Sequence, residues 1–230
     1  MDLAILLWPA GLATGNANSG ERQMITRQSL LVATQNQGKL RELRQLLADL
    51  PIELSALTDF PTVEKVPETG DSFIENASMK AVGYATQTGR LTVADDSGLE
   101  VDALGGAPGI LSSRYAGEGA SDADRIGKLL AELSRNSAAE RSARFVSAVV
   151  IADGAGKILN VSVGTCDGRI DFAARGSGGF GYDPVFIPNG YHQTFAELKP
   201  ETKNEISHRA RALSGAVEFL RSLTITLANA

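Results

Sequence analysis

Apolar and polar positions along the chain switch between two periods, and the switches mark its elements. Residues 29–33 form a short apolar run that predicts a strand. A polar loop, residues 34–39, follows it. Leu40, Leu43, Leu46, Leu47 and Leu50 then recur at helical spacing. Residues 52–57 predict a second strand, and residues 58–70, with Pro61 and Pro67, a loop. Ser72 and Glu75 make a capping-box pattern ahead of a helix that buries Phe73, Ile74, Ala77, Ala81, Tyr84 and Ala85. Ser121 caps another, with Ile126, Leu129, Leu130 and Leu133 on its apolar side. Residues 144–153 and 157–165 read as a hairpin turning at Asp153-Gly154. Residues 198–223 predict one last helix, with a Thr202/Glu205 capping box after Pro200.

The stretch 91–98 organises the rest. An apolar run, Leu91-Thr92-Val93-Ala94, ends in Asp95-Asp96-Ser97-Gly98. It reads as a buried strand carrying charge to a sheet end, where ligands sit in open α/β sheets. Alternation along a strand sends Asp95 and Asp96 to opposite faces, so the two cannot share a job. Asp96, on the face with the smaller side chains, is the candidate metal ligand or base. Asp95 is expected to support a turn.

Three further stretches carry candidate chemistry. Thr34, Gln35, Asn36, Gln37, Gly38 and Lys39 lie between a strand and a helix N-terminus, whose free amides suit phosphate. This is not a P-loop, because Leu40 follows Gly38-Lys39 and the upstream glycine is missing. Residues 176–181 match G-x-G-x-x-G, but no helix can start at Tyr182-Asp183-Pro184, so the dinucleotide reading fails. The glycines instead predict a flexible loop with Phe180 and Tyr182 to stack on a base and Asp183 to accept from ring N–H groups. Lys203 falls in the first turn of the last helix. His208 and Arg209 follow one turn later, off the apolar stripe. Glu68 stands in the proline-bearing loop, with Glu75 as a nearby alternative.

Composition narrows the setting. With 230 residues and a 43% hydrophobic fraction, the chain can bury a substantial core. A net charge of −5 supplies no general basic field for nucleic acid, so an anionic ligand must be held by local cations. The single Cys166 can form neither an internal disulfide nor a thiolate metal site, which points to a reducing, cytoplasmic compartment. The apolar run at residues 3–8 follows Asp2 and is far short of the ~20 residues that span a membrane. Residues 1–27 read as a disordered extension, and 28–225 as a single two-lobed domain with the central hairpin in the second lobe.

Six blocks occur together in order: Thr34-x-Asn36-x-Gly38-Lys39, Phe73-x-Glu75-Asn76-Ala77, Ala94-Asp95-Asp96-Ser97-Gly98-Leu99, Gly105-Gly106-Ala107-Pro108-Gly109, Phe180-Gly181-Tyr182-Asp183-Pro184 and Ser207-His208-Arg209. Over residues 29–223 the chain resembles the inosine/xanthosine triphosphate pyrophosphatase family, the HAM1-like or RdgB-like enzymes. The resemblance implies an α/β fold: an elongated mixed β-sheet flanked by helices, with a cleft between two lobes. It implies a homodimer, a magnesium ion, and hydrolysis of ITP, dITP and XTP to the monophosphate and pyrophosphate, cleansing the nucleotide pool. By position, residues 34–39 would hold phosphates, and Glu68 and Asp96 the metal, with Asp96 also acting as base. Ser97, Phe180, Gly181, Tyr182, Asp183, Lys203, His208 and Arg209 would complete the nucleotide site. The rival readings are a Maf-type pyrophosphatase of other base specificity and a non-catalytic nucleotide-binding regulator. The last two blocks argue against the first, and the set Lys39, Glu68 and Asp96 against the second.

Overall fold

The computed structural model describes residues 28–135 and 140–228. The expected extension, residues 1–27, therefore lies outside the described residues. Six strands form one mixed sheet in the order β2-β1-β3-β4-β5-β6. They are β1 (Gln28–Val32), β2 (Ile52–Ala56), β3 (Leu91–Val101), β4 (Ser142–Ala152), β5 (Ile158–Ile170) and β6 (Phe186–Pro188). β1 runs parallel to both β2 and β3, and the remaining pairs are antiparallel. Among the described residues, five α-helices surround the sheet: α1 (Gln37–Leu46), α2 (Phe73–Thr88), α3 (Asp122–Ser134), α4 (Pro200–Ile206) and α5 (His208–Ala228).

The apolar periodicities decide which face each helix covers. α1 and α5 pack on one face, where Leu40, Leu43, Leu213 and Leu220 meet Val93, Val149 and Ile151. α2 covers the other face, with Ala77, Ala81 and Tyr84 against Ala94, Ala148 and Val150. Farther along β3, β4 and β5, α3 and the segment around β6 close a third cluster on Leu99, Phe145, Phe186 and Phe195.

β3 pairs with β1 only from Leu91 to Val93, whereas its antiparallel ladder with β4 continues to Val101. Ala33 N still donates to Val93 O at 2.8 Å, and beyond it the β1 side of β3 is open. That opening creates the cleft. It also corrects the expectation of a turn at residues 95–98. Asp95 and Asp96 lie inside an unbroken strand, opposite Val149 and Ala148, because β4 satisfies the backbone through the acidic pair.

The last helix is two helices. Ser207 takes extended backbone angles (φ −69°, ψ 157°), ends α4 and accepts from Ala210 N through its hydroxyl at 3.2 Å. The Thr202/Glu205 capping box is not used, since α4 starts on Pro200 with Lys199 at its N-cap and no side-chain cap. Lys203 consequently falls in the last turn of α4, and His208 and Arg209 in the first turn of α5.

α5 rests directly on β5 at Gly164. A Cβ there would stand 2.3 Å from both Ala212 N and His208 O, which are backbone atoms with no rotamer to yield. Overpacking of this kind costs about 1–3 kcal/mol. Gly164→Ala is therefore expected to lower the unfolding free energy by an amount in that range, read as a fall in the urea midpoint at unchanged slope, and an unchanged midpoint would show that α5 slides freely on the sheet.

Candidate active site

Strand alternation sorts the acidic pair as the sequence predicts, and each aspartate meets its own cation. Asp95 points to the α1/α5 face. Its Oδ1 lies 2.5 Å from Lys39 Nζ, and its Oδ2 accepts from Ser147 Oγ at 2.7 Å. Arg209 Nε stands 3.5 Å from the same Oδ2, an ion pair without hydrogen-bond geometry. Burial pushes the Asp95 carboxyl up, but Lys39 and Arg209 outweigh it and hold the group far below the ordinary carboxylate range. Asp95 is thus a buried counterion inside a strand, not the support of a turn. Burial also pulls the Lys39 ammonium below its ordinary value, with Asp95 opposing.

Asp96 points to the α2 face, where its Oδ1 accepts from Lys80 Nζ at 2.8 Å. The same Nζ lies 3.4 Å from Glu68 Oε2, so one ammonium joins the two carboxylates expected to hold a metal. Burial raises the Asp96 pKa despite Lys80 and Lys39. Lys80 is raised, because Asp96 and Glu68 prevail over its burial. Glu75, the alternative to Glu68, is engaged elsewhere: its Oε2 accepts from Asp71 N at 2.7 Å at the start of α2.

The cleft has two chambers that share Asn36, Lys39, Ser97 and Ser113. The carboxylate chamber contains Thr34, Gln35, Lys65, Glu68, Lys80 and Asp96. The aromatic chamber is bordered by Phe145, Phe180, Tyr182, Asp183, Lys203, His208 and Arg209. Asn36 caps α1, its Oδ1 accepting from Gly38 N at 2.9 Å and Lys39 N at 3.1 Å. Gly38 is required by the ring above it, since a Cβ would stand 2.4 Å from Phe180 Cδ1. Gln37 faces a neighbouring cavity with Leu40 and Phe60 rather than either chamber.

Buried charges frame the aromatic chamber. Lys203 Nζ bridges Glu42 at 2.7 Å and Asp183 at 2.6 Å. Asp183 Oδ2 also accepts from Phe180 N at 2.8 Å, so it locks the glycine loop instead of standing free for a ring N–H. Tyr182 is buried and donates its hydroxyl to Ser112 O at 3.0 Å, which ties it to the wall. Phe180 is the half-buried ring, with Lys203 Nζ 5.0 Å and Arg209 Cζ 5.6 Å from its centroid. Arg209 donates to Glu42 and, at 2.9 Å, to Ser97 Oγ. His208 stacks on Phe145 at 4.6 Å between centroids, and its buried Nδ1 has no partner among the described residues. Burial, with the Arg209 cation beside it, holds the imidazole well below its ordinary pKa and therefore neutral at pH 7.

Four contributors escape the motif reading. Lys80 sits at helical spacing inside the apolar face Ala77, Ala81, Tyr84, and a charge in that stripe was the available signal. Glu42 has no comparable mark. Asp122, which accepts from Gly181 N at 2.7 Å, and Ser147, on β4, reach the site only through tertiary folding.

The Asp95 cluster sets an acid limit on stability. A carboxyl held below its unfolded value stabilises the fold above that value, and the contribution drains away as pH falls below the ordinary 3.8. Asp95→Asn leaves two buried cations short of charge, an expected loss of about 3 kcal/mol at pH 7. The variant should also lose less on going from pH 7 to pH 3 than the parent does. Urea denaturation at both pH values reads both effects.

The matches to known proteins agree with this architecture. The Ham1 family profile matches residues 30–219. A relative from Geobacillus kaustophilus named dITP/XTP pyrophosphatase is 50% identical over 185 residues, which is 80% of this chain and 90% of that protein. The structure of a HAM1 protein from Coxiella burnetii superposes with a TM-score of 0.74 at 41% identity, covering 88% of this chain and all of that one (100%). The Staphylococcus aureus Ham1 protein gives a TM-score of 0.75 at 37% identity, covering 85% of this chain and 99% of the other. The chain is a member of the Ham1 family.

Proposed function

We propose that this protein hydrolyses non-canonical purine nucleoside triphosphates, dITP, ITP and XTP, to the monophosphate and pyrophosphate. The observation that carries the reading is the two-chambered cleft, with an acidic, lysine-bearing chamber joined to an aromatic one at Lys39 and Ser97. A triphosphate fits the first chamber and a purine the second. Relatives named dITP/XTP pyrophosphatase at 45–50% identity support the same substrate class. No observation favours the Maf-type or regulator reading.

The residues fit a divalent cation. Glu68 and Asp96 already share one positive charge at Lys80 Nζ, and their oxygens suit magnesium, which binds one or two carboxylates and keeps waters and substrate phosphates. Bound there, magnesium would neutralise phosphate charge and lower the pKa of a coordinated water. The chain's own groups do the rest. The α1 N-terminus and Lys39 bind and orient the phosphates. Asp96, with its pKa raised by burial, accepts the proton of the attacking water. Water oxygen bonds to the α-phosphorus, the bond to the bridging oxygen breaks, and pyrophosphate leaves. Asp95 keeps Lys39 in place.

The base is read in the aromatic chamber. Phe180 offers the stacking face. His208, neutral and with an unpartnered Nδ1, can donate to a 6-oxo group when its proton is on that nitrogen, and would meet a second donor in adenine. Arg209, engaged with Asp95, Glu42 and Ser97, orients the wall beside it. Homodimer formation and a cytoplasmic setting belong to the same reading; among the described residues, no helix is long and apolar enough to cross a membrane.

Pyrophosphate release measured over a nucleotide panel with Mg²⁺ tests the function, with dITP, ITP and XTP expected far ahead of dATP and dGTP. Equal rates on all five would reject the substrate class. Asp96→Asn is expected to lose on the order of 10²-fold or more in kcat while keeping the fold by circular dichroism. His208→Ala should shrink the dITP-over-dATP ratio of kcat/KM by about 10-fold, the scale of one unpaired buried polar group. A proportional fall on both substrates would instead make His208 a structural residue.

A further inference from the structure

Lys80 does something the reaction scheme above leaves unexplained. Its side chain is only 10% exposed, projects from the apolar face of α2, and ends between the two carboxylates assigned to the metal. Nζ lies 2.8 Å from Asp96 Oδ1 and 3.4 Å from Glu68 Oε2. Magnesium–oxygen bonds are about 2.1 Å long. A magnesium ion joining the same two oxygens would need the position that the ammonium fills, and two cations cannot share it.

The other cations of the chamber do not bridge the pair. Lys39 lies on Asp95, at 2.5 Å. Lys65, on the loop before Glu68, lines the chamber without an ion pair among the described residues. Lys80 alone among them bridges the two candidate metal ligands. The chamber beside it opens to solvent, and the four-carbon stem of Lys80 is flexible enough to swing away from Asp96 into it.

We propose that Lys80 is an internal stand-in for the metal. It holds Glu68 and Asp96 together when no metal is bound and is displaced when the cation enters. This rests on the reading of Glu68 and Asp96 as metal ligands. It makes Lys80 a positioning residue that competes with the cation for the same two carboxylates.

Binding measurements test this without turnover. Mn²⁺ affinity is read by electron paramagnetic resonance of the free ion, with no nucleotide present, in the parent, Lys80→Met and Asp96→Asn. Lys80→Met removes the competing charge and should bind Mn²⁺ about 10-fold more tightly, within the usual span of coupling between two sites. Affinity equal to or weaker than the parent's overturns the proposal. A second measurement needs no variant. Amine acylation of Lys80 in the full chain, followed by mass spectrometry at constant pH, should speed several-fold when Mg²⁺ is added, and an unchanged or slower rate overturns displacement. Asp96→Asn separates the two readings: if it binds Mn²⁺ as the parent does, the assigned metal ligands are wrong and the stand-in role falls with them. If it loses Mn²⁺ while Lys80→Met gains none, only the stand-in role fails.

Discussion

A fully buried carboxylate in the middle of a sheet is costly unless it is paired, and Asp95 is paired from three directions. Lys39 comes from α1, Arg209 from α5 and Ser147 from β4. Each partner belongs to a different element, so satisfying one charge fixes three elements against β3. Lys39 and Arg209 also border the cleft, one at the junction of the chambers and one in the aromatic wall. The charge that makes the fold specific therefore positions the groups that face the ligand.

The pleat turns this single cluster into two environments. Asp95 and Asp96 are neighbours in sequence, yet one is held far below its ordinary pKa and the other above it. The difference comes from their partners. Asp95 has two cations and a hydroxyl in close contact, whereas burial outweighs Lys80 at Asp96. An anchor that stays ionised and a carboxyl that takes up a proton more readily can thus be neighbours, and the early departure of β1 from β3 opens the cleft beside them.

Much of the fold was legible. Helical and strand periods identified most elements, and the caps Ser72 and Ser121 act where the sequence suggested. The misjudged features share a cause. A Ser-Gly pair after two aspartates reads as a turn by local preference, but β4 pairs with those residues and keeps them extended. The periodic stripe in residues 198–223 continues through Ser207, so pattern alone cannot register the extended backbone that splits it.

For the site, strand alternation by itself determined that Asp95 and Asp96 act on opposite faces, because a period of two is a property of the local backbone. The spaced motifs likewise marked most residues that border the two chambers. Tertiary structure alone decided which cation each acid meets. Lys39 and Arg209 reach Asp95 from helices far away on either side in the chain, and Glu42 draws Lys203 and Arg209 into the same wall. His208 and Arg209, which lie off the apolar stripe, are buried because α5 lies on Gly164 with no side chain between them. Burial and charge pairing depend on what packs against a residue, and local sequence encodes only the face from which it is approached.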